Sequence, residues 1–177
     1  MTILMNMMFN VLSTSLGIMA FYATDPYSYV LKIKYMSFLY FIMDSVIEYY
    51  VYKRLEYIPH HVLSLASAIS ITQNHPMQFI SLGLVFAEST SFVCNLRYVL
   101  KSYDALEFRV DMYLFGYFVL CRFFFIPSII YHLYEYKLLF YSGIFITCMS
   151  YNWGYKWSRS IYYLSLIHIS EPTRRWS

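Results

Sequence analysis

The sequence predicts an all-α protein, a polytopic transmembrane bundle of about six helices. Three observations predict it. Of 177 residues, 59% are hydrophobic and only 13% charged, against about 45–50% and about 25% in soluble domains. The apolar residues gather into segments close to the length that spans a bilayer, about 17–25 residues. Short polar or proline-containing breaks separate them, among them Thr24-Asp25-Pro26, Lys53-Arg54 and Gln73-Asn74-His75-Pro76.

Composition also narrows the function. The formal charge of +3, with no basic stripe, argues against nucleic acid as a partner. Cys94, Cys121 and Cys148 each fall inside an apolar segment and have no CxxC neighbour. They read as small buried hydrophobes, and neither a disulfide framework nor a metal site is expected. There is no Gly-rich phosphate loop, no GxSxG and no HExxH, so no cofactor is expected either.

The first segment runs from Ile3 to Ala23. It lacks basic residues at its start, which argues against a cleaved signal peptide. The second runs from Ile33 to Tyr52 and stops at Lys53-Arg54. The third starts at His60, behind Pro59, a residue suited to a helix start. It reaches only to Gln73-Asn74-His75-Pro76, about 14–16 residues, which is short for a span. The fourth runs from Met77 to Leu100, the fifth from Val110 to Tyr131 with Pro127 near its end, and the sixth from Tyr136 to Tyr155. The run Leu164-Ser165-Leu166-Ile167-His168-Ile169-Ser170-Glu171-Pro172-Thr173-Arg174 resembles the translation of a transposase adapter used in sequencing libraries. Residues 1–163 are therefore expected to form the membrane domain, and 164–177 to be a non-native tail on a truncated gene.

If all six segments span, the 53–59 and 101–109 loops share a side with both termini. That side carries Lys53, Arg54, Lys101, Arg109, Lys156 and Arg159, and the other carries Lys32, Lys34 and Lys137. The excess predicts that the first side is cytoplasmic, and the many Tyr and Trp near segment ends suit interfacial belts.

Ionisable groups inside such segments are costly and face a cavity or a partner. Asp44 and Glu48 are four apart, on one face of the second helix. Glu48 lies near the helix end, within reach of the interface, whereas Asp44 is deeper and faces the bundle. His60 and His61 open the third helix, where interfacial capping competes with a chemical role. From His61, Ser64, Ala68 and Thr72 continue a stripe of small residues that lets helices approach closely. Glu88, Ser91 and Asn95 share a face of the fourth helix, with Arg97 on the opposite side and near enough to the end to reach water. Asp111 and Arg122, three turns apart, share a face of the fifth. At about 1.5 Å per residue, Glu88 and Arg122 both lie about 18 Å from the cytoplasmic end. Opposite charges at equal depth are expected to pair and fix the register of their helices.

Asp44 in an aromatic helix, His60-His61, the run from Ala87 to Arg97 and Arg122-Phe123-Phe124-Phe125-Ile126-Pro127 together resemble the TLC-domain family (TRAM/Lag/CLN8-like). The resemblance covers Ile3 to Tyr155. Ceramide synthases of that family carry a His-Asp pair where this chain has Ala87-Glu88, and a further Asp where it has Ser91. The chain thus resembles the smaller, non-synthase members. The resemblance implies a protein of lipid homeostasis that binds or regulates membrane lipids such as sphingolipids. It implies residence in the endoplasmic reticulum or the plasma membrane, and a pocket lined by His60, His61, Asp44 and Glu88, with Ser91, Asn95 and Arg122 as further polar groups. The alternative is an acyl-CoA-dependent N-acyltransferase of ceramide-synthase type. In that case His60 and His61 are the catalytic candidates, His61 as general base. A proton-coupled transporter is a third class, but no inverted repeat or pair of broken helices supports it.

Overall fold

The computed structural model describes residues 2–47, 49–50 and 58–170; the side chains of residues 2, 164 and 166–170 are not among those described. Among the described residues all regular structure is helical. The elements are α1 (Thr2–Tyr22), α2 (Pro26–Ile47), α3 (Ile58–Ser70), α4 (Met77–Ser102), α5 (Phe108–Leu120), a π turn (Cys121–Phe125), α6 (Ile126–His132) and α7 (Lys137–Ser170). The α5 helix, the π turn and α6 follow one another without a break, so the bundle consists of six rods in the order of the six apolar segments. The expectations for Glu48, Lys53, Arg54 and residues 171–177 fall outside the described residues.

Two boundaries differ from the sequence reading. The α2 helix begins at Pro26, because a proline at the first helical position fits the fixed φ and lacks only an N–H that has no intrahelical partner. Lys32 and Lys34 are accommodated on it. Lys32 lies 4.8 Å from the Tyr29 ring centroid. Lys34 Nζ donates to the carbonyls of Ile69 (2.8 Å) and Ile71 (3.3 Å), a cation satisfying orphan carbonyls at the end of α3. The other difference is α7, which continues past Tyr155 to Ser170 because no proline or glycine follows Gly154 in that stretch to stop it.

Among the described residues three helices are long and apolar enough to cross a membrane: Ile3–Tyr22, Met77–Ser102 and Phe108–His132. That fits an integral membrane protein. The remaining rods fall short by composition or length: α2 carries Lys32, Lys34 and Asp44, α3 has 13 residues, and α7 is rich in Tyr and Ser. Large apolar side chains such as Leu4, Met8, Leu39, Met43, Phe124 and Leu138 face outward, as they do where the solvent is lipid.

The helices meet through small residues. Ser13 and Ala20 on α1 and Ser81 on α4 are fully buried. A Cβ on Gly17 would stand 2.8 Å from Val85 Cγ2 and 3.3 Å from the Ser81 carbonyl, so the α1–α4 contact requires hydrogen at that position. In lipid, where apolar burial gives little drive between helices, such close approach is the main source of cohesion. Where α6 crosses α7, a Cβ on Gly143 would lie 2.6 Å from Ile130 Cγ1. Ser67 Oγ donates to Ser142 Oγ at 2.6 Å and ties α3 to α7.

Two apolar clusters sit at opposite ends of the bundle. Ala20, Val30, Ile71, Met77, Ile80, Ile129 and Leu133 fill the end that holds the α1–α2, α3–α4 and α6–α7 connections. Phe118, Trp157 and Ile161 join α5 to α7 toward the other end. The polar groups lie between the first cluster and that second end.

Candidate functional site: a polar cavity in one half of the bundle

The cavity is assembled from five rods, each contributing polar residues. The first turns of α1 bring Asn6 and Asn10, the last turns of α2 bring Asp44, and the first turn of α3 brings His60 and His61. The second half of α4 brings Glu88, Ser91, Asn95 and Arg97, and the π turn brings Arg122. Tyr40, Phe41, Trp153 and Trp157 supply aromatic walls, and exposed Lys156 stands at the rim. The volume is about 500 Å³, within the range of small-ligand sites, about 300–1,000 Å³. All seven residues that the sequence suggested as site groups (Asp44, His60, His61, Glu88, Ser91, Asn95 and Arg122) line this one space.

His61 is held on both sides of its ring. Nε2 lies 3.2 Å from Asp44 Oδ2, with both side chains buried, and Nδ1 lies 3.1 Å from Ser45 Oγ. A neutral ring with its proton on Nε2 satisfies both contacts, donating to Asp44 and accepting from Ser45. The interfacial role considered for this histidine is thereby replaced by a buried link between α3 and α2. His60 packs edge-on against Trp153, with centroids 6.0 Å apart, and its buried Nδ1 has no partner among the described residues. The same is true of Asn6 Oδ1. Both residues line the cavity, and unsatisfied buried polar atoms are rare in folded proteins.

On α1 and α4 a chain of amides leads to the acid. Asn95 Nδ2 donates to Asn10 Oδ1 at 3.1 Å, and Asn10 Nδ2 donates to Glu88 Oε2 at 2.6 Å.

Arg122 is 4% exposed. Its Nε donates to Thr90 Oγ1 at 2.7 Å, and its Nη2 donates to the Ala87 carbonyl at 2.9 Å and to Ser91 Oγ at 3.2 Å. Thr90 and Ser91 can accept because each hydroxyl also lies within donor distance of a carbonyl in the preceding turn of α4. The π turn sets this geometry: the wider turn shifts the helical phase and aims Arg122 across at α4. Such turns concentrate at functional positions.

Two expectations are corrected here. Glu88 and Arg122 share the cavity but make no ion pair: Asn10 holds the acid, and neutral acceptors on α4 hold the cation. Arg97 does not reach for water. Its Nε and Nη2 grip Asp111 Oδ1 and Oδ2 at 2.6 and 3.1 Å, Nη2 also donates to Ser160 Oγ at 3.0 Å, and the guanidinium lies 4.8 Å from the Trp157 ring centroid. Asp111, which is fully buried, accepts from Arg97 and also from Trp157 Nε1 at 2.7 Å. The sequence reading missed Asn6 and Asn10, although Asn6, Asn10 and Ser13 form a polar line at helical spacing in a mostly apolar segment.

The fold and the site define a class: an all-α helical bundle with three membrane-competent helices and a polar, aromatic-walled cavity in one half. Compared with known proteins, the chain has no significant match to any family model, any curated protein or any solved structure.

Proposed function

We propose that this is an integral membrane protein of TLC-domain type that binds or regulates membrane lipids, with the cavity receiving the polar part of a lipid. One observation carries the reading. Polar groups from five rods converge on a single space of about 500 Å³, and two of them, Asn6 Oδ1 and His60 Nδ1, have no partner among the described residues. A bound headgroup or hydroxyl would supply those partners, and lipid-facing helices would accommodate its chains. The test is lipid retention. Full-length protein purified in mild detergent is extracted and its co-purifying lipids measured, beside a variant in which Ser91→Leu fills the cavity. The reading requires that lipid retained at a fixed stoichiometry by the wild type be lost from the variant. Equal retention by both would reject it.

A second reading, a ceramide-synthase-type N-acyltransferase, is favoured by the His61–Asp44 pair, since a carboxylate that orients an imidazole is a recurrent element of acid–base sites. Both ring nitrogens of His61 are already engaged, so His60 is the better placed of the two to take a proton from a bound amine, with His61 positioning. Acyl-CoA-dependent acylation of a sphingoid base by membranes containing the protein, abolished by His60→Ala, would establish the enzyme. Turnover unchanged by that substitution would remove it.

A further inference from the structure

Glu88 and Arg122 are opposite charges in one cavity that do not touch, and each is secured from behind. Asn10, itself held by Asn95, restrains the Glu88 carboxylate from the α1 side. Thr90, Ser91 and the Ala87 carbonyl restrain the guanidinium from α4. In a space of low dielectric, free partners would close into an ion pair. These are kept apart, and a π turn, itself a departure from regular helix, keeps Arg122 where it is. A cavity with a fixed anion and a fixed cation is complementary to a ligand that carries both charges in the opposite order.

Resting on the lipid reading above, we propose that the ligand is zwitterionic, its ammonium directed to Glu88 and its phosphodiester or carboxylate to Arg122. The walls suit the cationic end as well. Phe41 and Trp153 present aromatic rings to the cavity, and an ammonium is attracted to such faces. Exposed Lys156 at the rim would draw the anionic part toward the entrance. A neutral lipid would leave both charges without a counter-charge, and a purely anionic one would bring a like charge against Glu88. The required chemistry occurs in phospholipid headgroups and in small water-soluble zwitterions.

The experiment compares ligands with matched acyl chains on the full chain in detergent, read by native mass spectrometry. The panel is phosphatidylethanolamine, phosphatidylcholine, phosphatidylglycerol and diacylglycerol, with free phosphoethanolamine as competitor. One charge-assisted contact is worth about tenfold in affinity or more. The two zwitterionic lipids are therefore expected to bind at least about tenfold tighter than the other two. Glu88→Gln, which keeps size and shape, should remove the advantage over phosphatidylglycerol, while Arg122→Lys should retain it. Equal binding of phosphatidylglycerol or diacylglycerol by the wild type overturns the inference while leaving a lipid-binding protein. Binding of none of the lipids overturns the lipid reading. Free phosphoethanolamine competing as well as the whole lipid upholds the charge arrangement and assigns a water-soluble ligand.

Discussion

Replacing Asp111 by Asn tests whether the Arg97 network ties α4, α5 and α7 together. In the wild type the carboxylate accepts two bonds from Arg97 and one from Trp157, at 2.6, 3.1 and 2.7 Å. The amide keeps the shape and can still accept from Trp157, but it leaves Arg97 without its counter-charge. Removing one partner of a buried pair costs about 3–5 kcal/mol. The Arg97 side chain is 16% exposed and keeps Ser160, so the low end, about 3 kcal/mol, is expected. That is about a hundredfold in the folded-to-unfolded ratio. Reversible unfolding in mixed detergent–SDS micelles, followed by tryptophan fluorescence, measures it, and Trp157 lies within the network. The double variant Arg97→Met with Asp111→Asn should be destabilised less than the sum of the single variants, by about 1–3 kcal/mol of coupling. Strict additivity would show that the bidentate contact contributes nothing and that α5 is held by Phe118 and Trp157 packing alone.

Four other outcomes follow from the same contacts. Gly17→Leu should destabilise the α1–α4 contact by about 1–3 kcal/mol through overpacking, since its first atom already meets Val85; unchanged unfolding would refute the close approach. Arg122→Met should cost more than Glu88→Gln in the same assay, because Arg122 holds three acceptors on α4 and Glu88 takes one bond from Asn10; the reverse order would contradict the described anchoring. Lys34→Met should lower stability by about 0.3–1 kcal/mol through loss of the cation at the α3 terminus, a cost that Lys34→Arg should partly restore. Single cysteines at Asn74 and Ala105 should be labelled from opposite faces of sealed vesicles, with Ala105 on the side of the α4–α5 turn; labelling from the same face would mean that α4 does not cross.

The helices were legible because apolar runs and their proline-containing breaks set the rods directly, and the six segments follow the order of the six rods. Asp44, His61, Glu88 and Arg122 were legible as inward groups because an ionisable side chain in such a run has few other places to go. Their partners were less so. Depth counting matched Glu88 to Arg122, yet the same counting applied to the α4–α5 turn would have matched Arg97 with Asp111. Each lies about one turn from the end of its helix on antiparallel neighbours, and that short distance decided the pairing. The π turn was only partly legible: Pro127, just beyond Cys121–Phe125, lacks the N–H that would bond the Phe123 carbonyl and so marks a break in regular helix, but a one-residue change of phase leaves the apolar pattern intact. The amides of α1 were overlooked because uncharged side chains raise no alarm in a hydropathy count, although Asn10 is the link that joins Asn95 to Glu88.

The apolar cluster between the α1–α2, α3–α4 and α6–α7 connections has a consequence for orientation. It closes the polar space as a floor closes a cup: Ala20, Val30, Ile80 and Ile129 pack apolar side chains there. Among the described residues the polar side chains that line the cavity come from the other half of the bundle. The floor thus gives the space a direction: a ligand seated in it would meet charge and hydrogen-bonding groups at one end and close-packed hydrocarbon at the other, an arrangement that orients an amphiphile head first.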